Sequence, residues 1–158
     1  MGSNVYIGLG SNLENRGRNL ERARERLDRE FGVLARSTVR ETEPFEVSSD
    51  NDFLNQVLEI DPGEHGPADL LERLLAIERD LGRSRERDSV DRVIDLDLLY
   101  YDRTIHHTNQ LDVPHPEVHR RPFVLKGMVE LNPVFRHPEL DKSQTELLLN
   151  ALGQKNDN

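Results

Sequence analysis

Apolar residues alternate with small or polar ones through Val5-Tyr6-Ile7-Gly8-Leu9, the period-two signature of a strand, which meets a turn signal at Gly10-Ser11-Asn12. Leu20, Ala23, Leu27 and Phe31 then recur at helical spacing among charges, with Gly32 as the stop, so a surface helix is predicted. Two strands are predicted next, over Val33 to Glu41 and Phe53 to Asp61, separated by a polar loop from Glu43 to Asp52. A second helix follows Pro67, with Leu70, Leu71, Leu74, Leu75 and Leu81 as its apolar stripe before Gly82. Arg83 to Asp91 holds almost no apolar residue and reads as a loop, ending at an apolar strand through Tyr100. Beyond it lie a short His-containing strand-like segment, then Val113-Pro114-His115-Pro116. A helix from about Arg121 to Leu131 and a short final helix from Thr145 to Leu152 complete the chain.

The order strand, helix, strand, strand, helix, strand predicts an α+β fold: a ferredoxin-like antiparallel sheet (βαββαβ) with both helices on one face and a C-terminal strand and helix extension. The other face is expected to be open to ligands. Strand parity agrees, because Leu54, Leu58 and Ile60 share the helix side while Phe53 and Asn55 point away from it. At 158 residues the chain suits one core, so a single domain over 1–152 is expected, with 153–158 as a disordered tail.

Charge narrows the function classes. Thirty acidic against 21 basic residues give a net charge of -9, which argues against a nucleic-acid backbone as the main partner. Cysteine is absent, so there is neither a disulfide framework nor a thiolate metal site. No apolar run reaches membrane-spanning length and no signal-peptide pattern precedes the first strand, so a soluble, cytoplasmic protein is expected, acting on small molecules as a monomer.

The chemistry concentrates in Arg92-Val93-Ile94-Asp95-Leu96-Asp97-Leu98. In a strand Asp95 and Asp97 share one face, about 6.5 Å apart, while Ile94, Leu96 and Leu98 share the other. Two carboxylates so close on an apolar strand call for a cation or a basic neighbour, and a hard divalent ion such as Mg²⁺ accepts a few carboxylates and takes its other ligands from water and phosphate. A solvated face paired to arginines is the alternative. Arg83, Arg85, Arg87 and Arg92 fall in one ten-residue stretch just before the pair, and their forks suit phosphate. His115, held between two prolines, is a rigid hydrogen-bond donor or simply a turn residue. The amide of Asn55 can read a heterocycle edge, and Phe53 and Phe123 either stack on such a ring or join the core. His106 and His107, adjacent and so on opposite faces, make a poor metal pair and read as surface residues.

Together these residues resemble the 6-hydroxymethyl-7,8-dihydropterin pyrophosphokinase family over nearly the whole chain. The matching blocks are Gly10-Ser11-Asn12-Leu13, Thr42 with Pro44, Asp52-Phe53-Leu54-Asn55, Glu78 through Gly82-Arg83-Ser84-Arg85, Arg92 to Asp97, and Val113-Pro114-His115-Pro116 followed by Arg121 and Phe123-Val124-Leu125. The resemblance implies transfer of a diphosphoryl group from ATP to the pterin hydroxymethyl oxygen, releasing AMP. It implies that Asp95 and Asp97 each contact two Mg²⁺ ions, that Arg83 and Arg92 stabilise phosphate charge, and that Glu78, Arg85, Arg92, Leu98, His115 and Arg121 bind ATP. It implies a pterin held by Gly10, Thr42, Phe45, Phe53, Asn55 and Phe123.

The chain departs from the family pattern in four places, one of them the absence of the glycine usual soon after Pro44. Asp88-Ser89-Val90-Asp91 replaces a stretch that commonly holds tryptophan and a Gly-Pro pair, Arg40 stands where tyrosine is frequent, and Lys126-Gly127-Met128 replaces an apolar, proline-containing segment. Two other functions share these residues. A metal-dependent nucleotidyltransferase would release pyrophosphate instead of AMP, and a pterin- or nucleotide-binding paralogue would bind without turnover.

Overall fold

A computed structural model of the chain describes residues 4–13, 15–43, 51–82 and 93–156. Strand β1 (Val5–Ser11) is followed by helix α1 (Arg16–Glu30), β2 (Val33–Arg36), β3 (Arg40–Thr42), β4 (Phe53–Ile60), α2 (Pro67–Asp80) and β5 (Asp95–Tyr101). A small hairpin of β6 (His106–His107) and β7 (Asp112–Val113) comes next, then a 3-10 turn at Val118–Arg120, α3 (Pro122–Leu131) and α4 (Gln144–Asn156). The main sheet runs β2-β4-β1-β5, every pair antiparallel, and β3 pairs β4 beside β2. This is the expected ferredoxin-like order, with the second strand of the motif split in two.

Ser37 explains the split. Its N–H donates to the Val57 carbonyl (2.9 Å), but its hydroxyl, not its carbonyl, accepts from the Val57 N–H (2.9 Å). The freed Ser37 carbonyl accepts from the Gln56 amide (2.7 Å). A side chain has displaced one rung of the ladder, and the register slips from Arg36↔Leu58 to Arg40↔Asn55. The single strand expected over Val33 to Glu41 is therefore two.

Alternation along the strands builds the helix-side core. Val5, Ile7 and Leu9 of β1, Leu58 and Ile60 of β4, and Leu96 and Leu98 of β5 meet Leu20, Ala23 and Leu27 of α1 and Leu70, Leu74 and Ile77 of α2. Burying each large aliphatic side chain there contributes about 1.5–3 kcal/mol. The opposite face is not wholly open, as had been expected. Tyr6, Val57, Leu99 and Tyr100 pack there against Val118, Val124, Met128 and Phe135, so α3 and the segment after it roof part of the sheet. A bulge helps: β1–β5 pairing steps from Tyr6↔Tyr100 to Ile7↔Leu98, and the extra residue lets both Leu99 and Tyr100 serve this second core. Among the described residues the surface around Gly8 and Gly10 is left as a cavity beside α3.

Helix α3 comes this close because residue 127 is glycine. A Cβ there would lie 2.5 Å from Val57 Cγ2 and 3.3 Å from Ser37 Oγ. At the far end of the helix Glu130 accepts from the Thr38 N–H (3.2 Å) and hydroxyl (2.7 Å) and pairs with Arg40 (2.6 Å), fastening α3 to the β2–β3 break. Two sequence expectations shift at the ends of elements. Gly10 and Ser11 belong to β1 and not to a turn, since both still pair with β4. Helix α4 runs past Leu152 to Asn156, so 153–156 is helical and not a disordered tail; Gly153 is tolerated inside the helix, where it costs about 1 kcal/mol relative to alanine. Among the described residues no helix is long and apolar enough to cross a membrane.

Candidate active site

The uncovered part of the sheet is a grid set by register. Arg40, Asn55, Gly10 and Asp95 form one row across β3, β4, β1 and β5, and Val57, Gly8 and Asp97 form the next. All point away from α1 and α2. Gly8 and Gly10, two apart on β1, leave the middle of both rows without side chains; a Cβ at Gly10 would stand 3.3 Å from Asn55 Oδ1 and 3.5 Å from the Phe53 ring. The result is a cavity of about 230 Å³ with Asn55 at one end and Asp95 and Asp97 at the other. With neighbouring strands about 4.8 Å apart, those ends are about 10 Å apart.

Its walls carry the expected aromatic and polar groups. Phe53 and Phe123 both line it, as do Thr42 and Arg121. The Asn55 amide donates to the Thr42 hydroxyl (2.5 Å), which fixes the amide plane. Pro122, the first residue of α3, holds Arg121 in extended backbone (φ -104°, ψ 98°). From there the Arg121 guanidinium reaches within 3.8 Å of Asp97.

A second cavity of about 180 Å³ opens along β5, lined by Leu96, Leu98, His115, Leu71 and the β6–β7 hairpin. Asp97 lines both cavities. His115 follows the Val113-Pro114 cis peptide, and its backbone N–H donates to the Leu99 carbonyl (2.9 Å), which docks it against β5. Burial, and then the Arg121 charge, push the His115 imidazole down to about 4, so it is neutral near pH 7. Its Nδ1 accepts from the Glu117 N–H (3.1 Å), which leaves the proton on Nε2 as a donor.

Leu98 and His115 line the second cavity, and Gly10, Thr42, Phe53, Asn55, Phe123, Arg121 and both aspartates line the first. Glu78 sits elsewhere. It is 1% exposed, lines neither cavity, and accepts from the Leu96 N–H (2.7 Å), so it braces β5 against α2 from beneath. Arg83, Arg85, Arg87, Arg92, Pro44, Phe45 and the 88–91 stretch lie outside the described residues. Sequence reasoning missed Gly8, although glycines two apart on a strand share a face and signal a bare patch. It also missed the hairpin rim at Leu111 and Asp112, which no local signal marks.

The donor set fits a hard cation bound jointly with a ligand. Asp95 and Asp97 share a face at the end of the first cavity, and among the described residues no group of three or more His, Cys, Asp or Glu is placed to hold a metal by itself. Two carboxylates that leave the remaining positions to phosphate and water match Mg²⁺ better than a closed structural site.

Comparison with known proteins agrees with this geometry. Residues 6–133 match the family model described as 7,8-dihydro-6-hydroxymethylpterin-pyrophosphokinase. A 2-amino-4-hydroxy-6-hydroxymethyldihydropteridine pyrophosphokinase of Methylorubrum extorquens is 40% identical over 131 residues, covering 82% of each chain. That of Bacillus subtilis is 38% identical over 133 residues, covering 83% of this chain and 79% of the relative. A folic acid synthesis protein of Dictyostelium discoideum is 33% identical over 146 residues, 92% of this chain, which spans only 22% of that protein's length. The fold is shared with Plasmodium falciparum HPPK-DHPS, with a TM-score of 0.79 at 12% identity, covering 98% of this chain and 45% of that one. With the family model matched over this length, the chain belongs to the 7,8-dihydro-6-hydroxymethylpterin-pyrophosphokinase family.

Proposed function

We propose that this chain transfers the terminal diphosphate of ATP to the hydroxymethyl oxygen of 6-hydroxymethyl-7,8-dihydropterin, releasing AMP, as a step of folate biosynthesis. The observation that carries this is the junction at Asp97, where a cavity with an amide and two aromatic rings meets a second one with a neutral, donating histidine. The pterin stacks between Phe53 and Phe123, with Phe45 completing the wall, while Asn55, Thr42 and the Gly10 backbone read its polar edge. The span of about 10 Å from Asn55 to Asp95 then directs its hydroxymethyl group to the carboxylates. ATP places its base against Leu98, with His115 Nε2–H, Arg121 and Arg85 as polar contacts. The hydroxymethyl oxygen attacks the β-phosphorus as its proton passes to solvent, the bond to the α,β-bridging oxygen breaks, and AMP departs with that oxygen. Arg83 and Arg92 offset charge on the transferred and leaving phosphates.

Asp95 and Asp97 would hold two Mg²⁺ ions. Bound there, Mg²⁺ supplies charge neutralisation for the triphosphate and fixes its orientation. In this scheme residues 1–152 act as one domain, a monomer in the cytoplasm that meets two small molecules and neither nucleic acid nor membrane. Incubation with ATP, Mg²⁺ and the hydroxymethyl pterin, followed by ³¹P NMR, tests it. AMP with a pterin diphosphate is expected. Free pyrophosphate points to nucleotidyl transfer, and unchanged ATP despite binding of both ligands points to a non-catalytic paralogue; either overturns the assignment.

A further inference from the structure

We propose that His107 is a positioning residue for the nucleotide: it bridges Asp112, at the rim of the second cavity, to Glu139 in the segment after α3, and so holds the β6–β7 hairpin in the shape that lines that cavity. The proposal rests on reading the second cavity as the nucleotide site. The hairpin needs such a support. Only two residue pairs join its strands, His106↔Val113 and His107↔Asp112, and its turn is closed by Thr108 and Leu111 alone (N–H to carbonyl 2.8 Å). A hairpin this short is marginal by itself. Leu111 and Val113 anchor one side in the helix-side core, while the other side is exposed and is held by His107.

Both ring nitrogens of His107 face carboxylates: Nδ1 the Asp112 Oδ1, and Nε2 the Glu139 Oε1 at 2.8 Å. A neutral imidazole has one N–H and satisfies one of them; the imidazolium satisfies both. The hydrogen bonds to Asp112 and Glu139 accordingly hold His107 above its ordinary value. The bridge is thus complete at lower pH and is lost as pH rises through that raised value. On deprotonation the single remaining N–H serves only one of the two carboxylates, so the bridge opens, and Asp112 loses the compensating positive charge beside the cavity that receives the nucleotide. The groups facing His107 are Asp112 from β7, and Glu139 and His137 from the segment after α3. His137 is held below its ordinary value, chiefly by burial, and burial pushes His115 in the cavity down to about 4, so neither mimics the transition.

The test measures kcat, the KM for ATP with Mg²⁺ and the KM for the pterin from about pH 6 to about pH 9, on the full chain and its His107→Gln, His107→Arg, Glu139→Gln and Leu111→Trp variants. Arginine keeps a permanent cation with several N–H donors. Comparison at equal pH removes the ionisation of ATP itself. Toward the acidic end the wild type should show a KM for ATP roughly two- to fivefold below that of H107Q and E139Q, converging with them as pH rises. H107R should lack this step, and kcat and the pterin KM should not follow it. Parallel ATP profiles for wild type, H107Q and H107R, with L111W raising the KM for ATP, would overturn the positioning role while leaving the cavity assignment standing. An unchanged KM for ATP in L111W would overturn the cavity assignment and the role with it.

Discussion

Gly127→Ala adds one methyl group where α3 crosses β4, and its cost follows from three distances. The new carbon would stand 2.5 Å from Val57 Cγ2, 3.0 Å from Val57 Cβ and 3.3 Å from Ser37 Oγ. Comfortable carbon–carbon contact begins near 3.5 Å, so α3 must retreat by up to about 1 Å or Val57 must leave its rotamer. Overpacking costs about 1–3 kcal/mol, and an approach of 2.5 Å belongs to the upper half of that range, about 2–3 kcal/mol, of which the better helix propensity of alanine returns about 1 kcal/mol. The net expectation is a loss of about 1–2 kcal/mol, or a fall in Tm of about 2–8 °C for a domain of this size. Urea unfolding should show a lower midpoint at unchanged m-value. Val57→Ala alone removes two methyl groups and costs about 1.6 kcal/mol before any cavity term. In the double variant the new methyl occupies the vacated space, so the losses should fall short of additivity by about 1 kcal/mol or more. A G127A protein as stable as its parent, or strictly additive losses, would show that α3 is not seated on β4 through this contact. Because the start of α3 presents Arg121 and Phe123 to the first cavity, G127A should also weaken pterin binding.

Other perturbations separate the parts of the site. Asp97→Ala should abolish AMP formation by ³¹P NMR; full retained activity would sink the metal assignment. Asn55→Leu, close in volume but unable to pair, should raise the pterin KM roughly 10- to 100-fold and leave the KM for ATP unchanged, since a buried polar contact to the ring is lost. His115 should titrate near the value of about 4 set by burial and Arg121, followed through its ring proton shifts in NMR. Because the folded value lies below the unfolded one, protonation favours unfolding: the stability held by neutral His115 is intact above about pH 6.5 and declines as pH falls toward the folded value. Urea midpoints of wild type and His115→Asn should therefore diverge in favour of the variant across that window, and parallel curves would contradict the burial described here.

Much of the site was legible before any tertiary contact was known, because strand parity is a local property. Asp95 and Asp97 had to share a face, as did Phe53 and Asn55, whatever their neighbours. Glu78 shows the limit: its place among motif residues implied a nucleotide ligand, yet the turn of α2 that carries it is buried against β5, where its carboxylate meets the Leu96 N–H. The break between β2 and β3 was not legible either, since a hydroxyl 20 positions from Val57 displaces a backbone rung.

By itself the sequence determined which residues alternate, which recur at helical spacing and which carboxylates stand side by side, since these depend on covalent spacing and backbone geometry alone. It thereby determined the sheet, its two packed helices and the family. Tertiary structure alone decided that α3 roofs part of the second face, that two cavities meet on Asp97, and that His107, which faces Asp112, also reaches Glu139, 32 residues from it. Contacts between distant segments depend on how closely elements approach, and that distance is set by packing: here by a missing methyl at Gly127 and bare backbone at Gly8 and Gly10.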